Sequence, residues 1–184
     1  MIERKRRLVA LRHTPVAVSP GLCYGQIDVP LADTYGDDLR SVQEILPGRS
    51  YARVISSPLQ RCYRLATDLQ VGAVEKDPRL MELSFGHWEG QLWDDIPRVI
   101  SEYWTEDVVR RSPPAGESFL QIIARVQALL QDPDLWSAGE NLLLVTHAGV
   151  IRALHHILTG EDYDSCLRLP VRFGEYRAWD IEPV

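Results

Sequence analysis

The sequence predicts an α/β domain whose buried strands pair in parallel, and three observations lead there. Short apolar runs alternate with amphipathic stretches from end to end, the pattern of strands joined by crossover helices. The composition is that of an ordinary globular chain: 45% hydrophobic and 25% charged residues, with 12 Gly and 12 Pro spread over 184 residues. Two of the strand candidates end on a histidine, at the position where open α/β sheets build their ligand sites. The length suits one core, and residues 1–184 read as a single domain without linker or repeat.

Leu8-Val-Ala-Leu11 reads as a buried strand ending at Arg12-His13, and Thr14 to Pro30 as a loop punctuated by Pro15, Pro20, Gly21, Gly25 and Pro30. Ala32 to Leu46 has helical periodicity and closes at Pro47-Gly48. Arg53-Val-Ile55 is a second short strand. After it, Ser57 is a good N-cap and Pro58 a good first helical residue for a helix reaching Leu69. Val71 to Lys76 is a third strand candidate, and Asp77 to Gly90 a loop carrying Glu82, His87, Trp88 and Glu89. Helical patterns resume at Leu92 to Ile100 and at Glu117 to Leu130. Asn141-Leu-Leu-Leu-Val-Thr146 is the most apolar strand and runs into His147-Ala-Gly149, with a helix expected from Val150 to Leu158. Arg172 to Ile181 alternates as an edge strand would.

The charge balance excludes several function classes. With 20 Lys+Arg against 26 Asp+Glu the formal charge is −6 and the pI about 5.4, which provides no basic footprint for nucleic acid or an anionic membrane. The three cysteines, Cys23, Cys62 and Cys166, follow no metal-ligand or disulfide spacing, so a reducing, cytoplasmic setting is expected. The basic start Met1-Ile-Glu-Arg-Lys-Arg-Arg7 resembles a signal-peptide n-region. The apolar run after it stops at Leu11, too short to export or anchor a chain. No Asp/His cluster has metal-ligand spacing, so no metal and no cofactor is expected. Oligomeric state is not legible.

Within this acidic chain, Arg12-His13, Arg61 early in its helix, and His147 make a local positive pocket. Guanidinium forks and a helix N-terminus both favour an oxyanion, and that explains the grouping better than packing does. Four motifs then fall in order: Leu11-Arg-His13, Ser56-Ser-Pro-Leu-Gln-Arg61, Glu82-Leu-Ser-Phe-Gly-His-Trp-Glu-Gly90 and Val145-Thr-His-Ala-Gly-Val-Ile-Arg152. In this order and spacing the chain resembles the histidine phosphatase superfamily from Leu8 to Leu158. Each motif alone is weak, and the set of four is specific.

The resemblance implies a three-layer α/β/α sandwich of the phosphoglycerate mutase-like fold, and a phosphomonoesterase acting through a phosphohistidine. In it His13 is the nucleophile, Glu82 the acid that protonates the leaving alcohol, and Arg12, Arg61 and His147 hold the phosphoryl oxygens. His13 has to be neutral to attack, which its cationic neighbours favour, and Glu82 has to carry a proton. A bell-shaped pH profile on the acid to neutral side is expected. Within the same loop Glu89 and His87 are weaker candidates for the acid, and Trp88-Glu89-Gly90 reads as a structural turn. His155 and His156 read as packing or surface residues.

The chain departs from the family pattern in places. Thr14-Pro15 stands where Gly and an acidic residue are usual, and Ser19 where an asparagine often contacts phosphate. Cys166 to Arg172 imitates the C-x₅-R spacing of cysteine phosphatases but has no glycine to wrap a phosphate. Asp132-Pro-Asp134 imitates a phosphoaspartate motif but follows a helix. The chain has little room between Gly90 and Glu117 for the insertions that shield a mutase's phosphohistidine, so hydrolysis is expected over mutase activity. Gly21 to Leu31 and Pro114-Ala-Gly-Glu-Ser118 look most like the alpha-ribazole phosphatase branch of cobalamin nucleotide-loop assembly. On that resemblance Tyr24 and Gly25 bind substrate. The alternatives are another small-molecule phosphatase, acting on a sugar or nucleotide, a mutase, or a binding protein that kept the fold.

Overall fold

The computed structural model describes residues 6–48 and 50–182. Most of the basic start read from Met1 to Arg7 therefore lies outside the described residues. Five strands form one sheet: β1 (Arg6–Arg12), β2 (Arg53–Ser56), β3 (Val74–Lys76), β4 (Asn141–Thr146) and β5 (Tyr176–Ile181), in the order β3-β2-β4-β1-β5. All neighbours are parallel except β1 and β5, so the expected edge strand is there and runs antiparallel. The described residues also form six helices: α1 (Tyr35–Ile45), α2 (Gln60–Asp68), α3 (Arg98–Thr105), α4 (Phe119–Leu130), α5 (Ala148–Thr159) and α6 (Tyr163–Arg168).

The layers follow from the two-residue period of the strands. Val9, Leu11, Leu143 and Val145 pack with Val42 of α1 and with Cys62 and Leu65 of α2. Leu8, Ala10, Leu142 and Leu144 face the other way, against Ile122 and Val126 of α4 and Val150 and Ile151 of α5. A strand buried on both faces has to be a continuous apolar run, which is how β1 and β4 read. From β1 the chain leaves over the face of α1 toward β2, and from β4 it leaves over the opposite face through α5 toward β5. The two neighbouring strands therefore diverge at their carboxyl ends, and a crevice opens there. Loops roof this end with a small cluster of Cys23, Trp88 and Ile96, joined by Phe85, Trp93 and Trp104.

Several boundaries differ from the sequence reading. The helix expected from Leu92 is a short 3₁₀ turn at Trp93–Asp95, and α3 begins only after Pro97, whose ring and missing N–H break the run. Arg172 to Glu175 is a turn rather than strand: Glu175 N–H donates to Arg172 O at 3.2 Å, with Gly174 at φ +71°. Strand β3 starts at Val74 and α1 at Tyr35, while α5 starts earlier, at Ala148. Helix α6 was not expected. Its N-cap is Asp162, whose carboxylate accepts from Ser165 N–H. The start of α4 is sharper than read: Ser118 and Gln121 form a reciprocal capping box.

Candidate active site

Strand register brings the histidines together. Arg12 of β1 lies opposite Thr146 of β4, so the next residue on each strand, His13 and His147, emerges side by side with ring centroids 5.2 Å apart. Ser56 of β2 lies opposite Val145, which sets Ser57 on the far side of His147. Three parallel strands thus end within one residue of the same level, and their first loop residues share the crevice.

His13 is 2% exposed, and its Nδ1 lies 2.7 Å from the Thr14 carbonyl oxygen. A carbonyl only accepts, so Nδ1 carries the proton and Nε2 keeps its lone pair. Burial, then the charge of Arg61, pushes the His13 pKa down to about 3. The ring is a neutral base throughout the physiological range. His147, fully buried, is held well below the ordinary histidine pKa by burial and by the nearby His13 and Arg61. Its Nε2 lies 2.9 Å from Ser57 Oγ and 3.3 Å from Cys62 Sγ.

Two arginines join them. Arg12 ends β1, donates from Nη1 to Val171 O at 2.6 Å, and stacks its guanidinium 3.8 Å from the Phe173 ring. Burial lowers its pKa, with the Glu82 charge opposing. Arg61, the second residue of α2, is fully buried and donates to Gly25 O at 2.6 Å and Ile27 O at 3.0 Å. The Tyr24 ring lies 5.3 Å from the Arg61 guanidinium carbon. Neither guanidinium meets a carboxylate in an ion pair among the described residues, and Arg12 Nε, Arg61 Nε and the buried Thr14 hydroxyl have no partner. A buried charge without a counterion costs several kcal/mol, and so does leaving donors unused. A dianion in the crevice removes both penalties.

Glu82 sits at the N-terminus of α5. Its Oε1 accepts from Gly149 N–H at 3.1 Å and Leu83 N–H at 2.9 Å, while Oε2 has only a long contact of 3.4 Å to Gly149 N. A Cβ on Gly149 would lie 2.3 Å from Oε1, so the carboxylate occupies the space of the missing side chain. Glu89 is arranged differently. Its two oxygens accept from the backbone N–H groups of Gln26, Ile27 and Phe85 at 2.8–3.0 Å, clasping the loop after Tyr24 to the Glu82 loop. Gly25 sits under that clasp, where a Cβ would come within 2.4 Å of Glu89 Oε1.

The remaining candidates fall away from the crevice or into its frame. His87 and Ser19 are exposed. His155 pairs with Glu161 at 3.3 Å, and Nδ1 of His156 lies 2.6 Å from Glu161 O. Cys166 is buried inside α6 with its thiol pKa raised by burial, and no loop wraps toward Arg172. Asp132 pairs with Arg79 at 2.9 Å. Ser57 does not cap α2: the helix starts at Gln60, whose N–H donates to Asp28 Oδ1 at 2.7 Å, so the cap comes from the distant loop between β1 and α1. Sequence reasoning missed Ser57 and Cys62 beside His147, Phe173 beside Arg12, and Arg125, which donates to Glu82 O at 3.1 Å and pairs with Glu117 at 3.0 Å. These contacts join residues remote in sequence, and no local pattern announces them. Among the described residues no three His, Cys, Asp or Glu side chains cluster as a metal ion requires, and no helix is long and apolar enough to cross a membrane.

Comparison with known proteins gives a consistent result. The sequence model of the histidine phosphatase superfamily (branch 1) matches residues 8–182. The glucosyl-3-phosphoglycerate phosphatase of Mycobacterium tuberculosis is 33% identical, over 91% of this chain and 78% of that protein. The adenosylcobalamin/alpha-ribazole phosphatase of Escherichia coli K12 is 28% identical, over 95% and 90%. Among solved structures, the alpha-ribazole phosphatase from Shigella flexneri superposes with a TM-score of 0.85 at 27% identity, covering 96% of this chain and 91% of that one. A mycobacterial glucosyl-3-phosphoglycerate phosphatase superposes at 0.77 with 26% identity, covering 95% and 90%.

Proposed function

This chain belongs to the histidine phosphatase superfamily and is a phosphoric monoester hydrolase, and we propose that it acts through a phosphohistidine on His13, with alpha-ribazole phosphate as its substrate. The observation that carries the mechanism is a neutral imidazole with Nδ1 anchored, set between the half-buried Arg12 and the fully buried Arg61, whose buried Nε groups lack partners. The Nε2 lone pair attacks phosphorus and the ester P–O bond breaks. The proton on Glu82 passes to the departing oxygen, and the alcohol leaves a phosphorylated His13. Oε2 is the oxygen left free for that proton, since Oε1 already takes two backbone N–H groups. Water then attacks phosphorus and gives its proton to the Glu82 carboxylate. Phosphate departs, and Nε2 recovers its lone pair. Arg12, Arg61 and His147 offer donors to the equatorial oxygens, where charge builds in the transition state. Tyr24 and Gly25 contribute by holding Arg61 and shaping the substrate loop.

The choice of substrate is supported by the loop from Gly21 to Leu31, by Pro114 to Ser118, and by the TM-score of 0.85 to an alpha-ribazole phosphatase. A second reading, a sugar-phosphate ester, is favoured by the 33% identity to a glucosyl-3-phosphoglycerate phosphatase. Rapid quenching without acid after mixing with a ³²P-labelled monoester tests the mechanism: label is expected on the native protein and absent from His13→Ala. A His13→Ala protein that keeps most of its hydrolase activity overturns the assignment. Comparing kcat/KM for alpha-ribazole phosphate, glucosyl-3-phosphoglycerate and simple sugar phosphates tests the substrate. A flat profile, or a preference for the glucosyl ester, rules out the choice made here.

A further inference from the structure

A cavity of about 220 Å³ opens directly beside the acid. Glu82 and Gly149 form one side of it, and its other walls include Phe85, Trp104, Phe119, Ile122 and Leu167. His13, Arg12 and Arg61 do not line it, so it adjoins the phosphate cradle without being part of it. Glu82, the acid assigned to the alcohol oxygen, is thus also a wall of this cavity.

The walls state what that molecule is like. They are almost wholly apolar, and a bare polyol would lose its water there without compensation. Two of the lining residues carry unspent donors. Arg152 is half-buried and spends its Nε on Leu169 O at 3.1 Å, which leaves both Nη groups without a partner among the described residues. The indole Nε1–H of Trp104 is buried and likewise has no acceptor. Neither donor is needed to hold phosphate. We infer that this cavity is the leaving-group subsite, built for an apolar, ring-bearing alcohol that carries hydrogen-bond acceptors for Arg152 and Trp104. The inference rests on the hydrolase reading above, and it makes Trp104 and Arg152 specificity-determining residues.

The test compares two alkyl monoesters whose alcohols are of similar acidity, 2-phenylethyl phosphate and glycerol 3-phosphate. The native enzyme is expected to favour the phenylethyl ester in kcat/KM. Trp104→Ala lowers that preference about tenfold, the loss of one aromatic contact, and Trp104→Phe restores most of it. Inhibition by inorganic phosphate, which needs only the cradle, stays unchanged in both variants. Arg152→Gln selectively weakens turnover of a para-carboxylated phenylethyl phosphate. If Trp104→Ala slows both esters equally, the side chain is merely structural and the subsite is overturned. A check without any variant is competition in the native enzyme: 2-phenylethanol is expected to inhibit glycerol 3-phosphate hydrolysis at concentrations where added glycerol does not, and equal inhibition by the two alcohols overturns the subsite. Failure of the hydrolase reading looks different, with neither ester turned over and no phosphohistidine formed, and it removes the subsite as well.

Discussion

A histidine that attacks through one ring nitrogen needs the other one committed, and Thr14 does this with a backbone oxygen that any residue type could supply. This explains how the chain tolerates Thr14 where its family usually carries glycine. The demanding residue is Gly149. Alanine is a better helix former than glycine by about 1 kcal/mol, so Gly149→Ala should leave stability within that margin. Its methyl nevertheless lands 2.3 Å from Glu82 Oε1 and displaces the carboxylate. Loss of a general acid costs roughly 10²-fold or more, so kcat for an alkyl monoester is expected to drop by about that factor. An aryl ester with an acidic alcohol, which needs no proton, should lose far less. Equal losses for both esters would show that Glu82 is not the proton donor. The His13, Arg61 and His147 motifs were legible because each lies at a fixed offset from a strand or helix end, and the Glu82 motif, in a loop, only through the resemblance to the family. Ser57 was misread because a serine before a proline looks like a cap, whereas here its hydroxyl faces His147.

At the level of elements, parallel register does the assembly: Arg12 opposite Thr146 determines that His13 meets His147. The strands themselves were legible from apolar runs. Which strands are neighbours was not, since β1 and β4 are far apart in the chain and their pairing is decided by layer packing. The loop from Tyr24 to Ile27 has no regular structure of its own and is fastened by Arg61 and Glu89. Removing the Glu89 carboxylate strands the backbone N–H groups of Gln26 and Phe85 and leaves that of Ile27 only its turn bond to Tyr24 O. Glu89→Ala should therefore destabilise the fold by about 2 kcal/mol or more, and expose the loop to protease. Because the same loop carries the carbonyls that aim Arg61, phosphate inhibition should weaken in parallel. A loop that remains protease-resistant in Glu89→Ala, with stability unchanged, would contradict this role.

For the whole molecule, carrying two neutral buried imidazoles makes stability depend on pH. Their pKa values in the folded state lie below the unfolded value of about 6.5, with His13 at about 3. Above about pH 6.5 neither state binds these protons and the effect vanishes. Below it the unfolded chain binds more protons, so stability falls as pH drops toward 3, by up to about 1.4 kcal/mol per pH unit for each imidazole. His13→Asn is expected to remove one such contribution, and unfolding in urea from pH 7 to pH 4 reads the difference in slope. Identical slopes for native and variant protein would show that His13 is protonated as readily folded as unfolded. The net charge of −6 does not oppose phosphate binding, since exposed charges beyond about 10 Å are largely screened and two guanidinium groups lie in the crevice.

By itself the sequence determined the α/β class, the order of strands along the chain, the family, and the histidine and arginine motifs at strand and helix ends. All of these depend on local periodicity or on short motifs at fixed spacing. Only the tertiary structure decided which strands are neighbours, that Asp28 caps α2, and that both oxygens of Glu89 clasp a loop while Glu82 keeps Oε2 with only one long contact. The same holds for the grouping of Phe85, Trp104, Phe119 and Arg152 in one cavity beside the acid. Those outcomes come from packing between segments far apart in the chain. A local pattern can specify an element's face, but not which distant residue will fill the space in front of it.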